Sequence, residues 1–136
     1  MLFRLPTDFE WIQPWHPLDE IKHAAALEGG RHLAQVDSGQ KIGDTLNLEL
    51  RREISIGHGL YGTEFDAVAY CSEDPSEFLF TTNLLNFPLA CVHLTWRVES
   101  DVLFPRASLY SNVNDWISQM RLENSGCRHG GFMLDG

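Results

Sequence analysis

Cysteine is scarce in this chain: Cys71, Cys91 and Cys127 are the three in 136 residues. A secreted scaffold of this size carries a denser, even set, so a disulfide framework is not expected and the thiols are read as reduced, in a cytoplasm. Cys71 and Cys91 sit inside apolar runs, where cysteine acts as a small hydrophobe. Positive charge is also scarce. Ten Lys and Arg face nineteen Asp and Glu, a formal net charge of −9. A phosphate-backbone binder needs a basic patch to release counterions, and anionic lipid recruits basic segments. The balance therefore argues against nucleic acid and membrane as partners. No apolar run approaches the ~20 residues of a membrane span, and the start, MLFRLPTDFEW, lacks the features of a secretory leader. The familiar signatures GxxxxGK[ST], GxGxxG, GxSxG, HExxH and CxxC are missing too. No catalytic set, metal set or cofactor is expected from motifs.

What is present is a 43% apolar composition, enough for a real core in one domain. Residues 1–43 are the least patterned. Trp11, Pro14, Trp15 and Pro17 read as irregular chain with aromatic anchors, and Pro17 opens a short helix to Leu27 that Gly29-Gly30 stops. Asp44 is the expected N-cap of a helix over 45–56, whose stripe is Leu46, Leu50 and Ile54 at i, i+4, i+8. The period then shortens. FDAVAYC (65–71) and EFLFTT (77–82) read as a hairpin around Ser72-Glu73-Asp74-Pro75-Ser76. LACVHLTW (89–96) reads as a strand with Val92, Leu94 and Trp96 toward the core, and Cys91, His93 and Thr95 toward a less apolar side. A last helix is capped by Ser111 and carries Val113, Trp116, Ile117 and Met120. The glycine-rich remainder, 123–136, is read as a flexible tail. These elements predict an α+β fold: an antiparallel meander of three or more strands with helices packed on one face, a helix–β–β–β–helix core over 44–122.

ELRREISIGHGLYG (49–62) and LACVHLTWRVESDVLFPRASLYSNVNDW (89–116) resemble a group of small uncharacterised bacterial proteins. Members have a Gly-His-x-Leu-type turn after a helix, a hairpin, a Val-His-Leu-Thr-Trp strand, a proline-containing loop and a final helix. The resemblance covers roughly residues 44–120. It implies this fold and brings no mechanism.

Two functional readings stand. Glu64, Asp66, Glu73, Asp74 and Glu77 occupy residues 63–82 without a Lys or Arg. This acidic surface suits another protein with a basic surface. Such a module would be a non-enzymatic interaction domain. Some small acidic proteins of similar build protect bacteria from toxin domains, a fold-level analogy, and self-association through a sheet edge is a related option. The alternative is a ligand- or metal-binding domain, or an enzyme, in which His58 and His93 approach each other with a carboxylate such as Glu53 or Glu64. Cys127-x-His129 offers two further ligand types but no second cluster. The loop 83–88 either tucks under a helix or exposes Leu84, Leu85 and Phe87. Arg97, Glu99, Asp101 and Arg106 surround the segment between strand and helix.

Overall fold

A computed structural model describes residues 2–6, 8–18, 39–96, 105–123 and 132–133. Their elements are β1 (Trp15–Pro17), α1 (Gly39–Glu53), β2 (Phe65–Cys71), β3 (Asp74–Thr82), β4 (Leu89–His93), β5 (Arg106–Tyr110), α2 (Val113–Glu123) and β6 (Phe132–Met133). The strands form one sheet in sequence order, β1 to β6, and every neighbouring pair is antiparallel. This is the expected α+β meander, extended by an edge strand from each end of the chain and by β5, which lies in the segment read from sequence as the link between the last strand and the final helix. Pro17 closes β1 instead of opening a helix; residues 19–38, which include most of the expected 17–27 helix, lie outside the described residues.

The helices divide between the two faces of the sheet, which corrects the single-face arrangement. Alternation along β3 and β4 makes the division visible. Phe78, Phe80, Ala90 and Val92 join Ala107 and Leu109 under Ile42, Leu46, Leu50 and Ile54 of α1. The intervening Leu79, Leu89 and Cys91 join Tyr110 under Trp116 and Met120 of α2. The N-terminal segment completes this second layer, with Trp15 buried and Phe3, Leu5, Phe9, Trp11 and Ile12 partly buried against it. Trp116 therefore does not cover Val92 and Leu94, as the sequence pattern suggested. It meets Trp15 edge-to-face with centroids 5.5 Å apart, and Trp11 at 6.0 Å. The Trp15 indole N–H donates to Met120 Sδ at 3.1 Å.

Local boundaries differ for local reasons. The apolar stripe of α1 begins at Ile42, 2% exposed, so the helix starts at Gly39 and Asp44 is an exposed position inside it. It ends at Glu53, and the loop that follows turns at Gly57 and Gly62, both at positive φ. Strand β3 begins already at Asp74, so the hairpin turns at Ser72-Glu73. Strand β4 ends at His93; Leu94 stays buried with the α1 layer while Trp96 leaves the sheet at φ 59°. Asn112, not Ser111, caps α2: its Oδ1 accepts the Asp115 amide N–H at 2.8 Å, and the Ser111 hydroxyl donates to the Asp115 carboxylate. In the loop after β3, Leu84 and Phe87 pack against the α1-side core while Leu85 is exposed. Within the tail read as flexible, Phe132 and Met133 pair with Leu109 and Ser108.

Candidate functional site

His58 follows α1 by five residues and is buried. Its Nδ1 accepts the Leu60 amide hydrogen at 3.0 Å, which places the ring proton on Nε2, and Nε2 donates to the Pro105 carbonyl at 2.8 Å. Burial holds its pKa below the ordinary histidine value, against the opposing effect of the Pro105 bond. Both nitrogens are thus engaged, so a metal or proton shared with His93 would require breaking one of these bonds. His58 ties the loop after α1 to the start of β5. It is a structural clamp.

His93 has a different carboxylate from those expected. It lies directly opposite Glu77 in the β3–β4 ladder, and its Nδ1 is 3.1 Å from Glu77 Oε1. The Cys91 thiol donates to Glu77 Oε2 at 3.5 Å. Glu77 is buried, whereas the His93 side chain is 44% exposed. Asp74 completes the group: one ligand-type atom from each of Asp74, Glu77 and His93 lies within 4.8 Å of the others. In a regular strand Asp74 and Glu77 would sit on opposite faces, about 10 Å apart along the chain. The register jumps here, from Tyr70↔Phe78 to Cys71↔Asp74, and that irregularity folds Asp74 back beside Glu77.

The other predicted acids are spread over both ends of the hairpin. Glu64 and Asp66 are exposed at the start of β2, and Glu73 is exposed at the turn, about 20 Å of strand away. Asp66 Oδ1 accepts an N–H from the Asn47 side chain at 2.9 Å, and Asn47 Oδ1 in turn accepts the Ala67 amide hydrogen at 2.7 Å. Asp66 is thereby fixed against α1. Glu73 and Asp74 share the turn with the Asp74–Glu77–His93 group. Arg106 is exposed on β5; Arg97, Glu99, Asp101, Cys127 and His129 lie outside the described residues.

A second polar centre lies at the end of α1. Glu53 is fully buried. Its Oε1 accepts the Thr95 amide at 2.8 Å and the Thr95 hydroxyl at 3.0 Å, and its Oε2 accepts the Trp96 amide at 2.7 Å. Burial, reinforced by a hydrogen bond to Glu49, pushes the Glu53 carboxyl up to about 8, against the opposing effect of the Thr95 and Trp96 donors. Glu49 accepts two N–H bonds from Arg52, at 2.9 and 2.6 Å. With its carboxyl raised to about 8, Glu53 keeps its proton at neutral pH. No sequence motif announces this grouping, yet it leaves a trace. Glu53 falls at i+7 from Leu46 and i+3 from Leu50, on the buried stripe itself. A carboxyl on an apolar stripe needs partners.

No helix among the described residues is long and apolar enough to cross a membrane. No protein family, curated protein or solved structure matches the chain.

Proposed function

We propose that the protein is a small bacterial, cytoplasmic, non-enzymatic interaction module whose acidic surface captures a partner protein with a basic surface. The observation that carries the reading is the hairpin itself. Its body is covered on both faces, while its two ends present the carboxylates of Glu64, Asp66 and Glu73 to solvent, in a chain of net charge −9. Exposed charge of one sign raises the encounter rate with an oppositely charged surface and repels like-charged ones. The commitment of His58 to two internal bonds weighs against a catalytic dyad with His93. Inhibition of a toxin domain is one form of such capture, by fold-level analogy alone.

The test uses a partner isolated on the immobilised chain. Its retention should fall as salt is raised from low ionic strength through roughly 0.15 M, where screening shortens to about 8 Å. It should fall again in Glu64→Lys/Asp66→Lys or in Glu73→Lys. A partner held equally at high salt and by both variants would sink the reading.

A further inference from the structure

We propose that Asp74, Glu77 and His93 form a binding site for a divalent transition-metal ion, with Zn²⁺ as its representative. Three features of the place support this. The first is the donor set: one imidazole nitrogen and two carboxylates, a mixture that suits ions between the hard Mg²⁺ and Ca²⁺ and the soft thiolate-bound metals. The second is spacing. Donors on neighbouring coordination positions around Zn²⁺, each about 2.0–2.2 Å from the ion, lie about 3 Å from one another. The His93 Nδ1 to Glu77 Oε1 separation is 3.1 Å, so a metal can replace the proton between them without moving either strand. The third is the register jump in β3, which brings Asp74 to a buried Glu77 that a regular strand would have kept on the other face.

The surroundings fit the same role. The Cys91 thiol holds Oε2 of Glu77, which leaves Oε1 turned toward His93. The Ser76 amide donates to Asp74 Oδ1 at 3.1 Å, which fixes the Asp74 side chain at the turn. Such outer bonds orient ligands and sustain metal affinity. Glu77 forms the floor of the site and the half-exposed His93 its open side, giving an ion a path from solvent. Three protein donors leave a coordination position for water or for a donor from a bound molecule.

The experiment is titration of the full chain with ZnCl₂ in a non-chelating buffer near neutral pH, followed by calorimetry and by the imidazole ¹⁵N resonances. One equivalent should bind, with the His93 Nδ1 signal shifting. Each of His93→Ala, Asp74→Asn and Glu77→Gln should weaken binding roughly tenfold or more. Thermal melts without metal confirm that each variant is folded; should Glu77→Gln unfold, the half-exposed Asp74 and His93 carry the comparison. A Cys127→Ser/His129→Ala chain should bind as the parent does. The proposal is overturned by any of three results: no saturable uptake, uptake that survives His93→Ala together with Asp74→Asn, or uptake lost only with Cys127 and His129. Mg²⁺ binding as tight as Zn²⁺ would likewise overturn the transition-metal assignment.

Discussion

The Glu53 carboxyl, at the last residue of α1, accepts the backbone amide of Trp96 at 2.7 Å. Forty-three residues separate the two, and the bond joins the α1 layer to the chain as it leaves β4. Trp96 sits there at φ 59°, a left-handed conformation uncommon for a bulky residue. The same carboxyl takes both Thr95 donors, so it holds two successive residues in the turn that follows the strand.

Glu53→Gln and Glu53→Ala should therefore differ sharply. The amide keeps one acceptor oxygen, enough for the two Thr95 donors, and a donor for Glu49, but its NH2 cannot accept the Trp96 amide. Its cost should be about 1 kcal/mol, the low end for one donor left unpaired. Alanine removes the acceptor of three part-buried donors and opens a cavity at a fully buried position, a combined loss of about 2–4 kcal/mol. Urea unfolding of the three chains at pH 6 measures this, and equal losses for both variants would contradict the assigned role.

Stability should also depend on pH in a definable way. Glu53 has a folded-state pKa near 8 against 4.5 when unfolded. Between these values the native chain binds the extra proton, so this group makes stability fall as pH rises. His58 acts in the opposite sense. Its folded-state pKa lies below the ordinary 6.5, so its contribution is complete above 6.5 and is lost as pH falls toward the depressed value. The two slopes oppose each other below pH 6.5, and only the Glu53 slope remains from there to about 8. The difference in melting temperature between the parent and Glu53→Gln should change steadily from pH 5 to about 8 and level off above it, because the variant lacks the Glu53 slope while His58 contributes equally to both.

Trp116 anchors the second layer, where it meets Phe9, Trp11 and Trp15. Trp116→Ala should cost about 3–5 kcal/mol, a large part of the roughly 5–15 kcal/mol a domain has. Trp15→Ala should weaken the same cluster, and the double variant should cost less than the two single losses together, because each removes the other's partner. Strict additivity in denaturant unfolding would show that the two rings do not act as a unit.

His58→Gln tests the clamp. An amide side chain cannot reproduce ring bonds to both the Leu60 amide and the Pro105 carbonyl, so the variant should lose about 1–3 kcal/mol for a buried group left unpaired. Hydrogen exchange should quicken in the loop after α1 more than in β3. Unchanged protection there would remove His58 from the structural role.

Strands β2, β3 and β4 were legible because alternation and turn residues are local signals, and their meander follows from short links; β1, β5 and β6, two to five residues long, are too short to show a period. The distribution of helices was not legible. LACV (89–92) is apolar at every position and buried at every position, the mark of a strand covered on both faces; an alternating reading of Val92, Leu94 and Trp96 passed over Cys91 because a thiol looks neutral between core and surface. The start of α1 was read six residues late because Asp44 is a good cap in isolation, while Ile42 reveals its burial only against the sheet. For the site, His93 and the two acids were visible as residue types. Their meeting depends on a register jump in β3, which no periodicity announces. The bonds of His58 to Pro105 and of Glu53 to Trp96 join residues more than forty positions apart, beyond the reach of any local pattern.

The hydrogen bond from Trp15 to Met120 spans 105 residues of chain. During synthesis the segment holding Phe9, Trp11 and Trp15 emerges first, and its aromatic rings have no seat until α2 is made and laid over β4 and β5. Contacts of such long separation slow folding, and the uncovered side of the sheet is sticky while it waits. The layer thus opens with the earliest-made residues and closes only with the last-made helix.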